Sequence, residues 1–457
     1  MGRPLLRIAL FLLTALLFVA FADVFLIRTD LFTRAMIYEM QNRSDIEMVF
    51  IGSSVCRNHI NSAMISEKTG KTVFNASVPD LAMQGSIALM REVYQTNHPD
   101  TVVLVVDAYT FDSDLEQVYA EDMLIPWLSD PDNQLEYYRN LTRSDGWYLD
   151  RLLLFRDFGI SNPADFLKTA ALRLFPEEAL KAYGRTAEDD GNPVVYEGAG
   201  FLRYDTEKRA DDAIRARMQR IYTGWNYELY PRSKEMLLAC RNLVESQGSR
   251  FLVLISPSHT VHQLADPSYF GYTLRLIQFC NRNGIECVNF QWAKPELLPN
   301  LDSYYYDLFH LSGKGADIFS CALADYLNLR MTGGDTSSLF YGSQAEYLDT
   351  IDFITNVWVE EFDADSDWNK AREQEENMVR DLAGDARVFL ANCNHGPRVV
   401  PEYRFVHRAE DGTETSVTDW QKEGICSLGE RDAGVLRVYA RPSGSESVAV
   451  WYDYTEQ

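Results

Sequence analysis

Met48-Val49-Phe50-Ile51-Gly52-Ser53-Ser54 is the stretch on which the reading of this chain turns. Four consecutive apolar residues suit a strand buried on both faces. The glycine allows a tight turn at the strand end. Two hydroxyls follow at once, at the rim where open α/β sheets bind their ligands. A serine there is a nucleophile only if an imidazole takes its proton and a carboxylate fixes the imidazole's tautomer. Far downstream, Asp307-Leu308-Phe309-His310 offers both groups in one loop. Each segment alone has an ordinary reading: Ser53 or Ser54 as the N-cap of the next helix, and His310 as a satisfied surface or core histidine. Together, one ends the first core strand and the other precedes the last core helix, and that order points to a Ser-His-Asp site.

The rest of the pattern fits such a sheet. Strand signals at 47–51, 71–76, 101–106, 250–255 and 285–289 alternate with helical ones at 55–66, 81–96, 231–247, 267–283 and 313–327. That alternation implies a parallel sheet with helices on both faces. The chemical candidates all fall at strand C-terminal ends. Residues 109–230 interrupt the order as a long, aromatic-rich and mostly helical insertion, with amphipathic pieces at 152–155 and 164–175. Insertions at this rim commonly form lids or substrate walls.

The Gly52-Ser53-Ser54 and Asp307-x-x-His310 segments resemble the first and last blocks of the SGNH/GDSL hydrolase superfamily, over roughly 45–330. The Gly-Ser-Ser variant is similar to the membrane-anchored DltD-like and AlgX/AlgJ-like branch. The resemblance implies a flavodoxin-like sheet with Ser54 as nucleophile, His310 as general base and Asp307 as its orienting partner. Two blocks depart from the pattern. Asn75-Ala76-Ser77-Val78-Pro79-Asp80 lacks both glycines of the second block, and Asp107 ends the strand where the third block usually offers an oxyanion-donating Asn. The oxyanion candidates are therefore the backbone N–H of Ser54, with Ser77 or Asp80 through the main chain. A missing donor typically costs ~10²–10³ in rate.

Length and charge set the wider frame. The chain has 457 residues and a net charge of −24, room for two or three domains and a balance that argues against a nucleic-acid partner. Arg3 and Arg7 precede an apolar run at 8–22, and the whole stretch 5–27 reaches the ~20 residues that span a bilayer. It reads as an uncleaved anchor over 1–30, with Ala20-Phe21-Ala22 leaving a cleaved signal peptide as the alternative. Either exports the rest. A helical stalk follows at 30–41, then the α/β domain at 31–332. Residues 333–385 read as an acidic helical linker whose Glu373-Gln374-Glu375-Glu376 is a solvated helix face. At 386–457 the period becomes two, with a hairpin signal at Asp411-Gly412, which suggests a small β-sandwich.

The seven cysteines include no CxxC pair and no metal-like spacing with histidine, so neither metal nor cofactor is expected. Cys393 with Cys426, and Cys280 with Cys287, are candidate bridges; buried free thiols are the alternative. For substrate contact the candidates are Arg57, one turn after Ser54, then Ser258 and His259 beyond the fourth strand, and Tyr306. Tyr304, Tyr305 and Trp292 join Tyr306 as aromatic faces for sugar rings, against the more common use of aromatics in cores. His59, His98 and His262 have no partner at useful spacing and read as structural.

Three functions remain open. The first is acyl transfer on a cell-surface polysaccharide or glycopolymer through an acyl-serine; the resemblance implies a membrane-bound O-acyltransferase as partner. The second is a secreted carbohydrate or lipid esterase. The third is a non-catalytic envelope protein for glycan binding or assembly.

Overall fold

The computed structural model of the chain describes residues 2–25, 30–111, 123–145, 186–189, 192–204, 229–265, 267–307, 309–361, 387–409, 411–428, 435–445 and 450–454, with a few isolated positions between 171 and 181. The amphipathic pieces expected at 152–155 and 164–175 and the acidic Glu373–Glu376 run lie wholly or almost wholly outside these residues.

Helix α1 (Gly2–Phe25) carries the apolar N-terminal run. Its side chains are described at 4–19 and at Phe21. Among the described residues no helix is long and apolar enough to cross a membrane, so the expected spanning helix has no support there. Helix α2 (Leu31–Gln41) falls where a helical stalk was expected, but it is packed down rather than standing clear. Asp30 caps it, and Phe32, Ala35, Met36, Ile37 and Met40 are buried.

The chain forms two compact units. The first comprises 1–207, 226–257 and 271–340. Its centre is a five-stranded parallel sheet of β1 (Met48–Gly52), β2 (Val73–Ser77), β3 (Thr101–Val106), β7 (Arg250–Ile255) and β8 (Glu286–Asn289), in the order β2-β1-β3-β7-β8. Every residue of β1 and β2 is buried, as near-continuous apolar runs predict. The order reverses between β1 and β3, and ligands of doubly wound sheets bind in the crevice at that reversal.

The helical stretch expected at 55–66 is two helices, α3 (Ser54–His59) and α4 (Ser62–Thr69), broken at Ile60 and recapped by the Asn61 side chain. Helix α5 (Met83–Thr96) leads from β2 back to β3. The helix Gly313–Met331, which packs against α3 and α4, begins with Ser312 as N-cap on the Gly315 N–H.

The insertion contains a helix, Pro131–Asp145, but also a three-stranded antiparallel sheet of β4 (Thr186–Asp189), β5 (Asn192–Gly198) and β6 (Phe201–Tyr204), where a mostly helical segment was expected. The β5–β6 turn docks on the edge of β2: the Asn75 N–H donates to the Ala199 carbonyl at 2.9 Å. Gly200 lies so close to Asn75, with a φ of +82°, that a Cβ there would overlap the Asn75 carbonyl. The Glu39 carboxylate of α2 accepts from the Ala199 N–H and the Tyr196 hydroxyl and fixes the same turn.

The second unit comprises 208–225, 258–270 and 341–457. Two antiparallel sheets share one apolar cluster that includes Val357, Phe389, Phe405 and Val438. One is β13 (Ile425–Leu428), β10 (Arg387–His395) and β9 (Ile354–Glu361); the other is β12 (Glu414–Ser416), β11 (Pro401–Arg408), β14 (Val435–Pro442) and β15 (Val450–Tyr454). Strand β9 falls inside the stretch read as an acidic helical linker. Its residues pair with β10, Glu360 and Glu361 at its end included, whereas the Glu373–Glu376 run lies outside the described residues. All seven cysteines are free thiols. Cys426 stands opposite Phe389, four residues from Cys393, so the strand register does not pair the two. Cys280 and Cys287 adjoin, and their mutual hydrogen bond together with burial holds Cys287 well above the usual thiol value.

Candidate active site

The end of β1 shapes the site before any side chain does. A Cβ on Gly52 would lie 2.5 Å from the Val105 carbonyl oxygen and 2.8 Å from Cys56 Cβ. Only glycine lets β1 run this close to β3 and turn directly into α3. Ser53 occupies the N-cap position but does not cap: its hydroxyl donates to Asp107 Oδ2 at 2.8 Å, across the reversal in strand order. The ordinary capping reading of this serine therefore does not hold. Asp107 is itself fixed, with Oδ1 accepting from the Thr110 N–H and hydroxyl.

Ser54, half-buried, is the first residue of α3. His310 Nε2 stands 2.9 Å from its Oγ. His310 Nδ1 lies 2.8 Å from Asp307 Oδ2, while Asp307 Oδ1 accepts from the backbone N–H groups of Phe309 and His310 at 2.7 and 2.6 Å. An ionised carboxylate only accepts, so Nδ1 carries the proton and Nε2 presents its lone pair to the serine. Burial pushes the Asp307 carboxyl up, but the His310 ring and the two N–H groups outweigh it and hold the group below the usual carboxylate value. Ser54, His310 and Asp307, 256 residues apart at the extremes, are thus brought together as a hydrogen-bonded chain.

The remaining candidates fare differently. Asn75 is buried and structural: its amide bonds the Cys56 and Ile60 carbonyls and ties α3 to β2. Ser77 is buried at the end of β2. Asp80 is exposed and adopts a φ of +55°, a left-handed conformation that aspartate tolerates better than most residues. Partial desolvation at the rim and the charge of Asp107 raise its carboxyl, against the opposing pull of His310 and Arg57. The Val78 N–H is engaged by the Gly52 carbonyl, so it is not a free oxyanion donor.

Arg57 is not poised for an anionic substrate. It is buried, with one terminal nitrogen 3.2 Å from Asp30 Oδ2 and the other 3.3 Å from the Tyr204 hydroxyl. Tyr306 stacks on two neighbours, with its ring centre 5.4 Å from His310 and 4.9 Å from Tyr204, both nearly parallel. Its hydroxyl faces the Asn58 amide at 3.4 Å. This column orders the imidazole rather than offering an open face to a sugar. Tyr305 and Trp292 are buried. Ser258 and His259 are buried members of the second unit, where the Ser258 carbonyl accepts from Gln263.

Sequence reading missed Asp30 and Tyr204 as partners of Arg57. Nothing local marks either one; Tyr204 arrives on the hairpin docked at β2. Among the described residues, no group of three His, Cys, Asp or Glu side chains is arranged to hold a metal ion.

No protein-family model matches the chain. No curated protein matches it. Among solved structures, one described as a candidate platelet activating factor from Streptococcus pneumonia is similar at 11% identity and a TM-score of 0.27, over 65% of this chain and 91% of that one. A likeness at that level carries no argument about chemistry.

Proposed function

We propose that this chain is an SGNH-type serine acyltransferase or esterase that works outside the cytoplasm on a glycan or glycopolymer. The observation that carries the reading is the unbroken chain Ser54 Oγ, His310 Nε2, His310 Nδ1 and Asp307. Ser54 attacks an ester carbonyl as Nε2 takes its proton. Asp307 holds the ring and stabilises the imidazolium. The tetrahedral oxyanion collapses as Nε2 returns the proton to the leaving alcohol, giving an acyl-serine. A sugar hydroxyl or water then reverses the sequence. Transfer and hydrolysis differ only in which hydroxyl enters. The Ser54 N–H at the start of α3 is the first oxyanion donor, and the Asp80 main chain, in its left-handed turn beside the rim, is the second.

Localisation rests on α1. Leu5, Leu6, Ile8, Leu10, Phe11 and Leu13 are all exposed and lie on every side of the helix, and a helix so apolar around its circumference is suited to lipid. We read it as an anchor with the catalytic unit outside. A membrane-bound O-acyltransferase as acyl donor follows from the family resemblance alone.

The altered third block favours a second reading. Asp107 brings a carboxylate where an oxyanion donor would serve, which suits a non-catalytic envelope protein. Treatment of the full chain with a serine-directed fluorophosphonate, followed by mass spectrometry, separates the two. An adduct on Ser54 that disappears in His310→Ala supports catalysis. An unlabelled Ser54 in the folded wild type removes it.

A further inference from the structure

The sequence offers His59 no partner at useful spacing, yet it joins both halves of the candidate site. It ends α3, the helix that Ser54 begins, and it is completely buried. The Leu311 N–H, next to His310, donates to His59 Nε2 at 3.0 Å. His59 Nδ1 lies 2.7 Å from the hydroxyl of Ser256, just beyond β7. A backbone N–H cannot accept, so Nε2 is the acceptor and the ring proton is on Nδ1, directed at Ser256. The His59 carbonyl accepts from Ser320 Oγ on the helix Gly313–Met331. The ring also meets Phe319 edge-on at 6.2 Å and His310 at 6.5 Å.

We propose that His59 is a positioning residue: as a neutral Nδ1–H tautomer it fixes the loop after His310 to the nucleophile helix and to the end of β7, and so sets the distance between His310 and Ser54. This rests on the triad reading for its catalytic consequence, though the loop contact stands by itself. Three geometrical facts favour it over a merely satisfied core histidine. Both ring nitrogens are engaged, each by a different element. One engaged partner is the backbone of the residue adjoining the general base. The third element, at β7, belongs to the rigid sheet, so the loop is referenced to the scaffold. An imidazolium at this position would turn Nε2 into a donor facing the Leu311 N–H, and burial keeps His59 neutral.

The test compares full-length wild type with His59→Gln, His59→Asn and Ser256→Ala. A Gln carbonyl reaches the place of Nε2 and can accept from Leu311; an Asn side chain ends near Nδ1 and cannot. Two readouts are taken: backbone hydrogen exchange at Leu311, and the pH profile of fluorophosphonate labelling at Ser54. The Asn variant should exchange at least about tenfold faster and label about 10–100-fold more slowly, since small misplacement of a reacting group costs that much. The midpoint of its pH profile should not move, because no charge is altered. Gln should restore both readouts to within about threefold, and Ser256→Ala should fall between. Equal behaviour of Gln and Asn, or unchanged Leu311 exchange in Asn or in Ser256→Ala, overturns the proposal. If Leu311 exchange responds as stated but wild-type Ser54 never labels, the loop assignment stands and the triad reading falls.

Discussion

Around His310 the protein supplies a carboxylate held by two backbone N–H groups, a serine hydroxyl and partial access to solvent. Around His59, 6.5 Å away, it supplies a hydroxyl, one backbone N–H and complete burial. The same side chain is therefore prepared for opposite duties. A carboxylate behind Nδ1 supplies the counter-charge for an imidazolium formed when Nε2 takes the serine proton. A hydroxyl behind Nδ1, with an N–H donor in front of Nε2, makes an imidazolium unfavourable. What decides the role of a histidine here is the partner's capacity to balance charge, not the residue or its distance from the nucleophile.

The largest effect that would break this contrast is loss of the proton acceptor. His310→Ala or Ser54→Ala should lower Ser54-dependent acyl turnover by about 10⁴–10⁶, whereas His59→Gln should stay close to wild type. Comparable losses in both would erase the distinction. Next comes Asp307→Asn, which keeps the shape but loses the charge and favours the wrong tautomer. We expect a loss of roughly 10²–10⁴ in turnover, with a modest fall in the thermal midpoint at neutral pH because the lowered carboxyl stabilises the fold there.

Stability against pH sharpens the contrast further. His59 is held well below the ordinary imidazole value, first by burial and then by the charge of His310. Its contribution is full above that ordinary value and declines as pH falls below it, because the unfolded chain takes up a proton that the folded one refuses. Over that window wild type should lose up to about 1.4 kcal/mol per pH unit more than His59→Gln. The lowered Asp307 carboxyl gives a separate loss: its contribution is full above the usual carboxylate range and disappears as pH falls through the still lower folded value. Urea titrations of wild type, His59→Gln and Asp307→Asn at pH 7, 5 and 3 separate the two windows. Smallest of all is Tyr306→Phe, which keeps the ring stack and loses the hydroxyl, its long contact with Asn58 included. A change under about 0.5 kcal/mol and under about twofold in turnover is expected; a larger one would move Tyr306 from ordering the imidazole to touching substrate.

These two neighbourhoods were unequally legible in the sequence. Met48–Ile51, Thr101–Val106 and Arg250–Ile255 could be read because strands buried on both faces leave unbroken apolar runs. Asp307 and His310 could be read because orienter and base share one loop. His59 could not, since its partners lie 197 and 252 residues away in the chain and one of them is a backbone amide, which no side-chain pattern records. The partners of Arg57 were hidden for the same reason: Asp30 and Tyr204 come from α2's cap and from the hairpin. Strand β9 was hidden by averaging, because a charge count over the surrounding window outweighed Ile354, Val357 and Val359, which are buried. The β5–β6 hairpin went unseen because aromatic and helix-prone neighbours dominated a long segment.

That hairpin has a consequence for anyone who would trim the chain. A parallel sheet offers its outermost strand as a template for foreign strands, and the Gly198–Gly200 turn shields that margin at Asn75. An excision of the insertion intended to give a minimal catalytic core would uncover the margin and also withdraw Tyr204 from the ring column. The shortened protein should self-associate into oligomers before it tells anything about enzymology.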